Sequence, residues 1–261
     1  QGVNVGKKYN VFIDEIDVCP LQIKGPLSEN LMAKLAGEAV RDIPYYGLME
    51  TKIEGVDIVI SQTGFTGEKG YEIYVRDAHQ NAEIVWNSVL EAGEEFGLQV
   101  VAPAHYRRIA AGILSWGQDM DFETSPFQVN LSYQVPRNKQ ADYIGKEELE
   151  RQRAIIDGGD FPFKMRMVGL IFGGKQITDY APDFWLIADA DGNDMGYITS
   201  PWWSPELNTN IALGWVPTTS SETGTKLQVR LPDEYSESSG VPAEGEIVDV
   251  PFRESVNPNI R

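Results

Sequence analysis

Ile60-Ser61-Gln62-Thr63-Gly64-Phe65-Thr66-Gly67-Glu68-Lys69-Gly70-Tyr71-Glu72-Ile73-Tyr74-Val75 is the stretch on which the chain turns. The apolar run Asp57-Ile58-Val59-Ile60 leads into it as a strand. Gly64, Gly67 and Gly70 then break any helix or long strand. Tyr71 to Val75 alternates in character as a half-buried strand does, so the whole reads as strand, glycine-rich turn, strand. Glu72 stands out. With a period of two it points to the face opposite Tyr71 and Ile73, either into solvent or into a polar cavity. A carboxylate so placed accepts two parallel hydrogen bonds from a donor–donor edge, as it does from a guanidinium.

The composition bounds what surrounds this hairpin. The chain has 261 residues, 42% of them hydrophobic, enough for one large or two ordinary domains. Twenty-two basic against 39 acidic residues give a net charge of −17, which repels a phosphate backbone and disfavours nucleic acid as a partner. A single cysteine, Cys19, permits no internal disulfide and fits a reducing compartment, hence a cytoplasmic location. No apolar run reaches membrane-spanning length and no secretory signal is visible. The chain opens at Gln1 in strand-like sequence, which reads as a fragment or a processed chain.

In chain order, Tyr9 to Asp17 reads as a strand and Leu21-Gln22-Ile23-Lys24-Gly25-Pro26 as a short strand ending in a turn. Ser28 is placed to cap a helix through about Leu35. Thr51 to Ile58 reads as a hairpin turning at Glu54-Gly55. Asp77 is placed to cap a long helix to about Phe96, with Ile84, Val85, Val89, Leu90 and Ala92 facing inward, and Leu98 to Ala102 reads as a strand. Strands alternating with helices and hairpins predict an α+β arrangement. From Met165 the texture changes to short strands and turns: Arg166–Phe172, a hairpin around Asp191-Gly192, Asn208–Pro217, Gly224–Leu231 and Ile247–Phe252. That spacing predicts a small antiparallel barrel. Tyr235 to Gly245 reads as a mobile loop, and Gln152 to Phe161 as a linker, dividing the chain into domains 1–160 and 161–261.

A second informative stretch runs from Ala102 to Asp121. Ile109, Ile113 and Trp116 fall at helical spacing, with Gly117 ending the helix, and Arg108 shares a face with the small residues Ala104 and Ala111. Trp116 offers either a buried ring or a π face to a cationic group. The chain has two histidines, His79 and His105, no His/Cys cluster with metal spacing, no phosphate-binding glycine loop and no Ser/His/Asp arrangement, so a metal site is not expected.

Thr63 to Ile73 resembles the TGYTGEDGFEI signature of the glycine-cleavage T-protein (aminomethyltransferase) family, with Phe65 for Tyr and Lys69 for Asp. Three further motifs are similar to that family and in the same order: Ala104 to Asp121 for "ARDxLRLEAGxxLYGNDID", Asp142 to Leu149 for "DFIGKEAL", and Asp191 to Val216 for "DG..GxVTSxxxSPxLxxNIALxxV". Several features look closer to its dimethylsulfoniopropionate demethylase-like branch. The resemblance implies a folate-binding aminomethyltransferase-type α/β part followed by a carboxy-terminal antiparallel β-barrel. It implies transfer of a methyl or aminomethyl group from an amine or sulfonium donor to tetrahydrofolate. Glu72 would grip the pterin edge in a central hollow, with Phe65, Tyr71 and Arg108 also on the cofactor, and Trp116 and Asp119 would line the donor pocket. A lipoyl-carrier protein would be the partner if the chain is a true T-protein. The departures matter: Ala104-His105 replaces an Arg-Asp pair, Ala110 a Glu and Trp116 a Tyr. The family's catalytic aspartate falls before the start of this sequence, so the catalytic residue is unassigned and a non-catalytic folate-binding or scaffold protein, or an inactive fragment, is the alternative.

Overall fold

The computed structural model describes residues 13–102 and 105–253. The chain forms two compact units. One holds the residues up to Gly64 with Glu68–Val101; the other holds Phe65–Gly67 with the chain from Ala102 onward.

The first unit is a four-stranded antiparallel sheet of spatial order β1-β4-β3-β2, with β1 Val18–Lys24, β2 Leu48–Ile53, β3 Val56–Ser61 and β4 Gly70–Arg76. Alternation decides its two faces. Ile23, Ile58, Ile60, Tyr71, Ile73 and Val75 point inward and pack with Leu31, Met32, Val85 and Val89 from two helices, α1 Ser28–Ala36 and α2 Ala78–Gly93. Gln22, Ser61, Glu72 and Tyr74 fall on the opposite face. The β2–β3 hairpin turns at Glu54 (φ 47°) and Gly55 (φ 79°), as the sequence predicts; both need the left-handed region that a tight hairpin demands.

The helix starts differ from expectation. Ser28 is the first helical residue of α1 rather than its cap, and its hydroxyl donates to the Lys69 carbonyl at 3.4 Å. Asp77, left-handed at φ 48°, makes no side-chain cap to α2. Asp17 takes that role, accepting the His79 backbone N–H at 3.2 Å and contacting the His79 ring. Of the inward residues expected on α2, Ile84 is exposed. Residues 98–102 form no strand, and the strand expected at Tyr9–Asp17 lies partly outside the described residues, with none over 13–17.

Among the described residues, the second unit contains two α-helices, α3 His105–Ala110 and α4 Lys146–Asp157, and a closed six-stranded antiparallel barrel of order β10-β5-β8-β7-β6-β9. Its strands are β5 Met165–Phe172, β6 Trp185–Ala188, β7 Asp194–Ser204, β8 Thr209–Pro217, β9 Lys226–Val229 and β10 Ala243–Val248. Leu170, Ile187, Ile198, Ala212, Val216 and Val229 fill the interior. The fold is α+β with a carboxy-terminal antiparallel barrel, as expected. The last strand is shifted to Ala243–Val248 and excludes Pro251 and Phe252. The 235–245 loop is pinned: Lys175 N–H donates to the Tyr235 carbonyl at 2.8 Å, and the buried Ser236 hydroxyl donates to the Ser238 carbonyl at 2.6 Å. The division anticipated at 160/161 falls inside this second unit, and α4 occupies most of the segment read as a linker.

α3 stops at Ala110 rather than running to Gly117. Gly112 turns the chain at φ +68°, and a Cβ there would sit 2.5 Å from Val250 Cγ1, so the segment after the helix lies too close to Val250 for any side chain.

Candidate functional site

Glu72 sits mid-strand on β4, directly opposite Gln22 of β1 and Ser61 of β3. Three neutral groups converge on its half-buried carboxylate. Gln22 Nε2 donates to Oε1 at 2.8 Å, the Tyr74 hydroxyl donates to Oε2 at 3.2 Å, and the Thr63 hydroxyl donates to Oε2 as well. The Ser61 and Thr63 hydroxyls are 2.8 Å apart, which extends the network along β3. Burial, reinforced by the Glu72 charge, raises the Tyr74 hydroxyl above its ordinary pKa and keeps it a donor at neutral pH. Lys24, two residues beyond Gln22 on the same face, donates from Nζ to the Thr63 carbonyl. Burial pulls its ammonium down to about 8, against the opposing pull of Glu72 and Glu68.

A carboxylate has about four lone-pair sites. Three hydrogen bonds on Glu72 leave Oε1 able to accept another, and the long Tyr74 contact is the one an incoming donor would displace. A carboxylate acceptor so held suits a flat ring that presents two neighbouring N–H groups.

Tyr71 is not part of this cluster. It is fully buried among Ile23, Leu31 and Ile73, on the core face opposite Glu72, and burial raises its hydroxyl. The strand alternation that puts Glu72 on the polar face puts Tyr71 inside, where it packs in the core.

Phe65, Arg108, Asp119 and Trp116 belong to the second unit. Arg108 lies at the centre of a closed network. Its Nη1 donates to Asp119 Oδ2 at 2.6 Å and to the Ile113 carbonyl at 3.0 Å, and its Nη2 donates to the Ser200 hydroxyl at 2.7 Å. The Asp119 carboxylate also accepts the Thr199 and Ser200 hydroxyls and the Ser115 backbone N–H, all within 2.7 Å. Both side chains are shut off from solvent. Every strong acceptor position on Asp119 is taken from inside the protein, which makes it a tie between the 115–120 turn and barrel strand β7 rather than an open pocket wall. Phe65 lies with its ring 5.9 Å from the Arg108 guanidinium carbon and is partly exposed.

His105 packs against Arg108, whose Nε donates to its Nδ1 at 3.3 Å, and against the rings of Tyr180 and Trp202 at 4.6 and 5.1 Å. Burial, then the Arg108 charge, lowers its pKa to about 4, so the ring is neutral at physiological pH. Trp116 is 56% exposed and meets the exposed Phe122 edge-on at 4.8 Å, so it is a surface ring and not a buried one. Beside Phe122 runs an open groove of about 540 Å³, bordered by Ser125, Glu148, Gln152 and Phe163. Among the described residues no group of three or more His, Cys, Asp or Glu side chains is arranged to hold a metal.

The residues that sequence reasoning missed had unequal signals. Gln22 and Lys24 alternate with Leu21 and Ile23, so their shared face with Glu72 follows once β1 is paired with β4. Thr199 and Ser200 lie 80 and 81 positions from Asp119, and nothing local marks them as its partners.

Two family models match the chain: the GCVT N-terminal domain over residues 3–139 and the glycine cleavage T-protein C-terminal barrel domain over residues 166–252. Among curated relatives, dimethylsulfoniopropionate demethylase DmdA of Ruegeria pomeroyi is 32% identical over 89% of this chain and 60% of its own length. An aminomethyltransferase of Geobacillus sp. strain WCH70 is 30% identical over 82% of this chain and 57% of its own. The chain thus spans less than two thirds of the length of these relatives. Among solved structures, the glycine cleavage system aminomethyltransferase T from Bartonella henselae superposes with a TM-score of 0.73 at 23% identity, over 91% of this chain and 60% of that one, a likeness of fold. By its amino-terminal match, which covers more than half of the residues, and by its barrel, the chain belongs to the glycine cleavage T-protein family.

Proposed function

We propose that this chain is the folate-binding part of a tetrahydrofolate-dependent transferase that moves a methyl or aminomethyl group from a small sulfonium or amine donor. The observation that carries the reading is the Glu72 carboxylate, held by Gln22, Thr63 and Tyr74 on the polar face of the sheet with acceptor capacity to spare. The family membership and the similarity to an aminomethyltransferase and a demethylase support it.

Tetrahydrofolate, when bound, supplies a nucleophilic ring nitrogen that takes up the one-carbon unit. This chain's residues bind and orient. Glu72 accepts the N–H donors of the pterin and so fixes the plane and direction of the ring. Gln22 and Thr63 keep the carboxylate from rotating, which reduces the ordering that binding must supply. Holding a reactant in line lowers the entropic part of the barrier to such a transfer. Arg108 and Asp119 serve by holding the turn on which Trp116 stands; Trp116, with Phe122, would present π faces to a cationic donor. The setting proposed is cytoplasmic, in keeping with the lone, unpaired Cys19.

The test is a transfer assay on the full-length gene product with a sulfonium and an aminomethyl carrier as alternative donors. Methylated or methylene-bearing folate as product supports the reading. Folate binding with no transfer from either donor would favour a non-catalytic binding protein instead.

A further inference from the structure

The glycines of the Thr63–Gly70 turn look at first like simple turn formers. Gly64 is not in the left-handed region, so its backbone does not require glycine. Its surroundings do. A Cβ at Gly64 would strike Lys24 Nζ and Cε, and one at Gly70 would collide with the Ile23 carbonyl and with Lys24 Cδ. The two glycines therefore form a channel through which the lysine stem passes, and at its end Nζ meets the Thr63 carbonyl. Thr63 is the residue whose hydroxyl donates to Glu72.

We propose that Lys24 is a positioning residue of the Glu72 site: it clamps the Thr63 carbonyl and thereby aims the Thr63 hydroxyl at the carboxylate. The inference rests on the reading of Glu72 as the pterin acceptor. A lysine stem can bury its methylenes cheaply, but its ammonium resists burial. Here the ammonium is held in place by a charge-assisted hydrogen bond and by the negative charges of Glu72 on β4 and Glu68 in the turn. Tyr74, also facing the cluster, has its hydroxyl raised and stays neutral below its ordinary range. The clamp is strongest while the amine carries its proton and weakens as the proton leaves, which occurs near pH 8.

The experiment is titration of the ligand-free chain with tetrahydrofolate, for the wild type, Lys24→Met, Glu72→Ala and the double variant, from pH 6.5 to 9.5. Lys24→Met keeps the stem and is expected to weaken binding about tenfold at pH 7, the low end for a hydrogen bond to a charged group. The wild type should lose affinity relative to Lys24→Met around pH 8, and the two should converge above it. In the Glu72→Ala background Lys24→Met should add no further loss, because both act through one carboxylate. Hydrogen exchange on the ligand-free chain gives a second readout: Lys24→Met should speed exchange in the 63–70 turn while the β4 amides of Ile73 and Val75 stay protected. Gly64→Ala, whose methyl would evict a flexible amine rather than strain the backbone, should fold and reproduce the Lys24→Met phenotype. Should Glu72→Ala lose affinity while Lys24→Met and Gly64→Ala bind as the wild type does, the clamp is wrong and the Glu72 reading stands. Should Glu72→Ala itself bind like the wild type, the pterin reading fails and takes the role assigned to Lys24 with it.

Discussion

Arg108 and Asp119 form an ion pair of 2.6 Å in which neither side chain reaches solvent. Taking two charges out of water is costly, and the cost is offset here by further hydrogen bonds: Arg108 donates to the Ile113 carbonyl and the Ser200 hydroxyl, and Asp119 accepts from the Ser115 N–H and the Thr199 and Ser200 hydroxyls. Removing one partner leaves the other buried and uncompensated. Asp119→Ala should therefore destabilise the chain by about 3–5 kcal/mol, read as a lower urea midpoint. Arg108→Met together with Asp119→Leu should cost clearly less than the two single changes added together. Additive losses would contradict a coupled pair.

His105 predicts a pH dependence. Its pKa is about 4 in the folded chain, against about 6.5 unfolded. Between these values the unfolded state binds more protons, so stability rises with pH through this window. The contribution is complete above about pH 6.5 and is lost as the pH falls towards 4. Thermal unfolding at pH 7 and pH 5 should show a drop for the wild type that is smaller in His105→Asn. An equal drop in both would place the sensitivity elsewhere.

Gly112 sits at φ +68° with Val250 Cγ1 in the space of a Cβ. Gly112→Ala meets both a backbone penalty and a clash, and should lower stability by about 1–3 kcal/mol. The companion change Val250→Ala should recover the part due to the clash alone.

Trp116, exposed and touching Phe122, should be replaceable by Ala with little change in melting temperature. If it faces a cationic donor, the same change in the full-length gene product should raise KM for a sulfonium donor several-fold, since a cation–π contact contributes about 0.5–2 kcal/mol. Unchanged KM with every donor would remove Trp116 from the substrate pocket.

The sequence made the sheet and the barrel legible because their strands obey a period of two and their turns carry glycine at left-handed positions, as at Gly55 and Gly192. It placed Glu72 on the face opposite Tyr71 and Ile73, and the structure agrees. The same alternation puts Tyr71 inside among the core residues, whereas the resemblance alone sets it on the cofactor. The helix after Ala102 was read too long because Ile109 and Ile113 keep helical spacing while the chain in fact turns at Gly112, under a constraint from Val250 far along the sequence. The closed state of Asp119 was equally hidden, since its partners Thr199 and Ser200 come from the barrel. Local pattern reveals which face a side chain takes; long-range packing decides whether that face is open to a ligand.

The central claim concerns one carboxylate and is tested most directly by calorimetric titration of tetrahydrofolate into the wild-type chain and into Glu72→Ala, after circular dichroism has shown both to be folded. The account predicts saturable binding to the wild type and a loss of at least tenfold in affinity for the variant, the value of a hydrogen bond to a charged group. Equal affinity for the two proteins would contradict it.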